Sequence, residues 1–180
     1  MRAHRPPTAE ALTDAPAADW TTVREELATG TDTYWLTVPR ASGVPHTRPL
    51  LVVWTHGLAH FACGPATAKG RLLAGAPPVS LSVSTAHRDL VVEGSVGRVS
   101  DAERVRAVAE TYPVVYGWAP RPEGDLLTGP EGAPTAGPPP YAVFAVVPST
   151  IYTFPTGDVG HGATRWRFAD GSGALGGEDG

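Results

Sequence analysis

From Trp20 the apolar positions recur at helical spacing. Trp20, Val23 and Leu27 share one face of "ADWTTVREELATG", a segment that opens behind Asp19 and closes at Gly30. Asp19 suits an N-cap and Gly30 a stop, so the segment predicts a short amphipathic helix. The pattern then changes. The runs "DTYWLTV", "TRPLLVVW", "LAHFAC", "PVSLSVS" and "DLVVEGSVGRV" are rich in β-branched and aromatic residues and are bounded by turn formers such as Ser42-Gly43 and His56-Gly57. Each predicts a strand. Only "PATAKGRLLAG" among them looks helical, so most of the strands are expected to be antiparallel neighbours in a barrel or sandwich.

Further along, "SDAERVRAVAETY" predicts a helix with Ser100 as its cap, Glu103 completing a capping box, and Val105, Val108 and Ala109 on one face. The Pro/Gly-rich stretch from Ala119 to Pro140 predicts a long loop, of the kind that is either functional or disordered. Two more strands, "YAVFAVVPSTIYTF" and "ATRWRF", close the ordered chain, and no internal repeat is visible. Residues 1–17 and 169–180 have compositions too poor in apolar residues to offset their ordering entropy. A single domain over residues 18–168 is therefore expected, with a flexible N-terminus and a disordered tail.

Composition narrows the partners. The 180 residues carry a formal charge of −4 and a pI near 5.8, which argues against nucleic acid and against a polybasic membrane anchor. The lone Cys63 has no disulfide partner within the chain, no apolar run reaches a bilayer's width, and the first 20 residues lack the apolar core of a secretory signal. A cytoplasmic protein is the expectation.

One residue stands out against this background: the chain has 13 arginines and a single lysine, Lys69, in "CGPATAKGRLL". With Gly64 as N-cap and Pro65 as first helical residue, Thr67 and Lys69 fall in the opening turns of a short helix behind a strand. No acid in "GPATAKGR" offsets a cation at the positive end of that helix. An anion would, and amides, a hydroxyl and an ammonium together suit a phosphate. The Gly spacing and Lys-Ser/Thr ending of a Walker loop are absent. The competing reading is an ordinary surface lysine on a connector. Arg48, opening the strand in "PHTRPLLVVW", is the second cation expected at this end of the sheet.

The order of segments from Thr33 to Phe168, above all "HFACGPATAKGRLLAGAPPVSLSV", resembles the pyridoxamine 5'-phosphate oxidase-like family. The resemblance implies a mainly β fold with a few helices: an antiparallel, Greek-key-like split β-barrel of the FMN-binding type, working as a homodimer with its cofactor between subunits. Carried over position by position, it implies cofactor contacts from Arg48, from Pro49, Leu50, Leu51, Val52 and Val53, from Ala62 and Cys63, and from Thr67, Ala68 and Lys69 in the phosphate turn. Asp89 falls where many FMN members have a glutamine from the partner subunit, Arg165 matches an arginine near the active site, and Phe154 lies near a cofactor-stacking tryptophan. The departures are informative. Val53 replaces a lysine, Ala68 replaces an arginine, and "ETYPVVYGW" lacks the groups that hold pyridoxal phosphate, so a vitamin B6 oxidase is not expected. The pieces "TYPVVYGW" and "ATRWRF" look more like the actinobacterial branch, where the deazaflavin coenzyme F420 is common.

The resemblance thus implies an oxidoreductase that passes a hydride between reduced F420 and an unsaturated small-molecule substrate. The alternatives are an FMN-dependent oxidase or reductase of the same fold, or a non-catalytic flavin- or haem-binding protein. Whichever cofactor is used, the ring carries the chemistry and the protein orients it. Tyr112, Tyr116 and His87 are the candidate proton donors, set against a purely structural role for each. His56 and His60 have metal-pair spacing, but the turn at Gly57 separates them and no metal site is expected. Cys63 lacks an activating acid-base pair. Trp35, Trp54, Trp118 and Trp166 read as core or dimer-interface residues, and the loop at 119–140 as the part that shapes substrate access.

Overall fold

The computed structural model describes residues 7–129, 136–157 and 159–169. The middle of the expected 119–140 loop and all but the first residue of the expected tail lie outside the described residues. The elements run β1 (Thr8–Ala11), α1 (Trp20–Thr29), β2 (Tyr34–Val38), β3 (His46–Leu50), β4 (Val53–Thr55), β5 (Leu58–Cys63) and α2 (Ala68–Leu73). They continue as β6 (Pro78–Ser84), β7 (Arg88–Val99), α3 (Ala102–Tyr116), β8 (Arg121–Glu123), β9 (Leu126–Thr128), β10 (Tyr141–Pro155) and β11 (Thr164–Arg167). All the strands belong to one sheet with the path β1-β11-β10-β7-β6-β2-β3. The branches off that path join β5 to β10 and β4, and β9 to β10 and β8. Every pairing is antiparallel.

β10 is the spine. Its first half pairs with β5 on one edge and β7 on the other, and after a register shift between Pro148 and Thr150 its second half pairs with β7 and β11. β5 and the first half of β10 are buried on both faces, which is why "LAHFAC" and "YAVFAVV" read as unbroken apolar runs rather than alternating ones. One face, with Phe61, Cys63, Phe144 and Val146, joins Leu36, Leu50 and Leu81 in the main core. The other, with Leu58, Ala62, Val143 and Ala145, takes the apolar stripe of α3: Val105, Val108, Ala109 and Tyr112.

Asp19 caps α1 by accepting from the Thr22 amide, and Gly30 ends the helix, both as expected. α3 departs from expectation at each end. Its cap is Asp101, which accepts from the Arg104 amide, and not Ser100; Glu103 pairs with Arg106 at 2.6 Å instead of closing a capping box. The helix also runs through Pro113 to Tyr116 before Gly117 turns left-handed at φ 70°. Two further segments differ. Thr8–Ala11, expected in a flexible terminus, forms β1 on the edge of β11. All four residues are exposed, so ladder hydrogen bonds and the Glu10–Arg165 ion pair hold the strand, and its composition carried no burial signal. The expected loop after Ala119 contains the β8–β9 hairpin, anchored by the fully buried Leu127 and paired to the start of β10. Among the described residues no helix is long and apolar enough to cross a membrane.

Candidate functional site

"TRPLLVVW", expected as one strand, is two. β3 pairs with β2, and β4 pairs with β5. The break at Leu51–Val52 has a clear cause in α3. The Tyr116 hydroxyl donates to the Val52 carbonyl at 2.9 Å, with the Asp32 carbonyl at 3.3 Å, and accepts from the Val52 amide at 3.4 Å. The Tyr112 hydroxyl reaches the Leu51 carbonyl at 3.4 Å. Of the Pro49–Val53 stretch carried over as a cofactor edge, the Leu51 carbonyl and the Val52 amide and carbonyl thus bond to the tyrosines. Val53 is buried on the α3 side of the sheet.

Register fixes where the cations go. Arg48 stands opposite Leu36 and His46 opposite Val38, and directly opposed residues of an antiparallel pair project from the same face. Leu36 and Val38 are fully buried, so Arg48 and His46 lie on the core-facing side of the sheet. Arg48 is nonetheless exposed, because β3 ends the strand path. α2 packs against β2 and supplies Lys69, which is only 3% exposed. The surface-lysine reading is thereby excluded. Burial pulls the Lys69 ammonium below the ordinary lysine value; Cys63 opposes the shift and Arg48 adds to it, so the two cations feel each other as the sequence suggested.

The turn before Lys69 differs in detail. α2 is capped by Thr67, not Gly64: the Thr67 hydroxyl accepts from the Gly70 amide at 3.0 Å and donates to the Gly64 carbonyl at 2.8 Å. Threonine is at least the equal of glycine as an N-cap, and its proton is committed to the turn rather than offered to a ligand. The Gly64 amide is also engaged, with the Ala136 carbonyl at 2.7 Å. Ala68 is exposed, Ala62 is buried on the α3 side, and Cys63 is buried with its sulfur 3.3 Å from the Thr67 hydroxyl.

His46 and Arg40 were not singled out from the sequence. The Arg40 guanidinium meets His46 Nδ1 at 2.6 Å, and His46 is 3% exposed. Burial first, then the charges of Arg48, Arg40 and Lys69, hold its imidazole below the usual histidine value. The alternation of His46 and Arg48 in "PHTRP" was the available signal.

Other carried-over residues lie elsewhere in the chain. Asp89 on β7 is exposed opposite Ser84 and Phe154; Phe154 stacks on Tyr152 with ring centroids 6.4 Å apart; Arg165 on β11 is bound to Glu10. In the strand path β6 stands between β7, which carries Asp89, and the β2–β3 edge that carries Arg48, and Phe154 and Arg165 lie further off on β10 and β11. Tyr112 is fully buried against Trp118, Tyr116 bridges backbone, and His87 is exposed in the β6–β7 turn, where its carbonyl accepts from the Thr156 amide. His56 is exposed in the β4–β5 turn while His60 is fully buried on β5. Trp118 and Trp166 are core residues, Trp54 donates to the Tyr34 hydroxyl at 3.0 Å, and Trp35 is 49% exposed on β2.

No family model matches the chain, and no curated protein does. Solved structures do. A conserved hypothetical protein, Rv2991, of Mycobacterium tuberculosis is similar with a TM-score of 0.60 at 13% identity, over 81% of this chain and 89% of that one. A pyridoxamine 5'-phosphate oxidase-related, FMN-binding protein of Nostoc punctiforme is similar with a TM-score of 0.52 at 13% identity, over 83% and 90%. A structure named F420 reductase aligns with a TM-score of 0.49 at 21% identity, over 71% and 94%. Such identities speak to architecture alone, and the architecture is plain: this chain has the split β-barrel fold of the pyridoxamine 5'-phosphate oxidase-like, FMN-binding proteins.

Proposed function

We propose that this protein is an oxidoreductase that binds a flavin or deazaflavin by its phosphate at Arg48 and Lys69 and passes a hydride between that ring and an unsaturated small molecule. One observation carries the reading: the chain's only lysine is buried beside an arginine on the core-facing side of the sheet edge. A phosphate there gains charge-assisted hydrogen bonds from both cations. The fold, shared with an FMN-binding protein, supports the same assignment. F420 is preferred over FMN because Val53 and Ala68 remove two cations from the turn and strand that the FMN pattern carries. The ring supplies hydride chemistry when bound; the chain's part is to anchor the phosphate and orient the ring. Ala62, Cys63 and the Pro49–Leu50 end of β3 complete the proposed surroundings. The working unit is a homodimer, to which Asp89, Phe154 and Arg165 contribute from the second copy, since they lie far along the strand path from Arg48 within one protomer.

Parallel titration of purified apo-protein with FMN and with oxidised F420, followed by ring absorbance, tests the cofactor. Stoichiometric binding of one is expected, and binding of neither overturns the reading. Gel filtration of the loaded protein tests the dimer, and a monomer that holds its cofactor removes that part of the proposal. A second reading, a binding protein without turnover, is favoured by the committed hydroxyls of Tyr112 and Tyr116. Reduced cofactor that binds and is never oxidised faster by any acceptor would select it.

A further inference from the structure

α2 is six residues long, too short to hold its own place in water, so contacts from outside decide where it and Lys69 stand. One of these comes from the chain just ahead of β10. The Gly64 amide donates to the Ala136 carbonyl at 2.7 Å, and Ala136 belongs to the α3-side core that also holds Trp118 and Tyr141. The approach needs glycine on both sides. A Cβ on Gly64 would lie 2.7 Å from the Ala136 carbonyl oxygen and 3.3 Å from that of Pro138, and one on Gly137 would lie 2.7 Å from the Thr67 Cγ2 methyl. That methyl cannot swing aside. Thr67 Oγ1 is fixed by the Gly64 carbonyl at 2.8 Å and the Gly70 amide at 3.0 Å, so turning the side chain away from position 137 breaks the cap of α2.

We infer that residues 136–138 form a strap that positions α2, so that this end of the 119–140 stretch sets cofactor affinity through the placement of Lys69. Gly64 and Gly137 are then positioning residues, and Thr67 is the piece through which Gly137 acts. Gly137 has a φ of 78°, so alanine there is strained with or without the Thr67 methyl. Strain and displacement can therefore be told apart: removing the methyl relieves the displacement and leaves the strain. The inference rests on the reading of Arg48 and Lys69 as the cofactor's anchor and adds to it the element that holds one of the two in place.

Lys69 is the chain's only lysine, so its acetylation by acetic anhydride, followed in the full chain by mass spectrometry well below the melting temperature, reports its placement without any cofactor. Gly137→Ala is expected to speed acetylation at least tenfold and to weaken FMN or F420 binding at least fivefold. Adding Thr67→Ser to Gly137→Ala removes the methyl and keeps the capping hydroxyl. Both readings should then return to within twofold of Thr67→Ser alone, while the melting temperature stays low. A segment that lends stability only would lower the melting temperature of Gly137→Ala and leave acetylation and affinity within twofold of wild type. That result, or a double variant without recovery, overturns the strap. Pro138→Gly, an exposed substitution that loosens the segment without a clash, decides the matter where Gly137→Ala does not fold: at least threefold faster acetylation is expected, and an unchanged rate overturns the strap. The two readings fail separately. If neither FMN nor F420 binds and the acetylation pattern holds, the cofactor reading falls and the strap stands; if a cofactor binds wild type and Gly137→Ala alike, the reverse holds.

Discussion

At the scale of single residues, Lys69 and His60 are both buried bases, and the fold treats them differently. Lys69 is 3% exposed, with Cys63 and Arg48 acting on its ammonium in opposite directions. Lys69→Met, which keeps the volume and removes the charge, is expected to weaken flavin or deazaflavin binding at least tenfold, about 1.4 kcal/mol. Loss of stability with unchanged affinity would make Lys69 a structural residue. His60, fully buried on β5 with Nδ1 near the Leu58 carbonyl and the Thr55 hydroxyl at 3.1 Å, is held neutral. Burial, reinforced by Arg104, lowers its pKa from 6.5 to about 4. The unfolded chain therefore takes up the proton first, so the contribution is complete above pH 6.5 and is lost as pH falls toward 4. The loss amounts to about 3 kcal/mol. Chemical denaturation at pH 7 and pH 4, compared with the same pair of measurements on His60→Leu, should show the wild type losing more. Of these residues, Lys69 was legible because it is unique in the chain. Its burial was not, since that depends on α2 meeting β2, and neither segment encodes the other's position.

At the scale of elements, local chemistry was readable and long-range pairing was not. Asp19, Gly30 and the apolar stripe of α3 act within a few residues of themselves, and the structure keeps each. The break in "TRPLLVVW" is set by Tyr112 and Tyr116, some 60 residues later, and β1 exists only because β11 offers an edge. The α2 turn shows how tight such local packing becomes. A Cβ on Gly70 would lie 2.5 Å from the Gly64 carbonyl oxygen and 2.8 Å from that of Pro65, both of them backbone atoms unable to swing aside. Gly70→Ala is expected to cost about 1 to 3 kcal/mol in stability and to displace Lys69, so that affinity for the cofactor and the denaturation midpoint fall together. A second junction ties α1 to the β6–β7 turn, where Arg88 Nε lies 2.8 Å from Glu26 and the Thr85 hydroxyl donates to the same carboxylate. Arg88 is almost fully buried. Removing one partner of such a pair typically costs about 3 to 5 kcal/mol, and replacing both by apolar residues much less. Urea denaturation of Glu26→Leu, Arg88→Leu and the double variant is expected to give that order, with the double variant nearest to wild type.

At the scale of the whole molecule, a single hydroxyl joins parts that are remote in the chain. Tyr116, on the last turn of α3, bridges to Val52 at the β3–β4 break and to Asp32 ahead of β2. It thereby fixes how the β2–β3 edge, with Arg48 and His46, is held against the α3 side of the sheet. With Tyr112 and His87, this is also a residue for which sequence reasoning allowed a catalytic role, and the two roles predict different things for Tyr116→Phe. A bridging hydroxyl, once removed, leaves the Val52 carbonyl with a poorer partner and costs about 1 to 3 kcal/mol. Amide exchange at Val52 should speed up, and anion affinity at Arg48 should weaken modestly as the edge loosens. A proton donor, once removed, would instead leave stability and exchange as they were and lower the rate of hydride transfer at saturating cofactor. Hydrogen exchange and thermal melting of Tyr116→Phe, read beside single-turnover oxidation of the bound cofactor, separate the two. With the hydroxyl oxygen 2.9 Å from the Val52 carbonyl oxygen, the expected result is faster exchange, a lower midpoint and a hydride-transfer step changed less than tenfold.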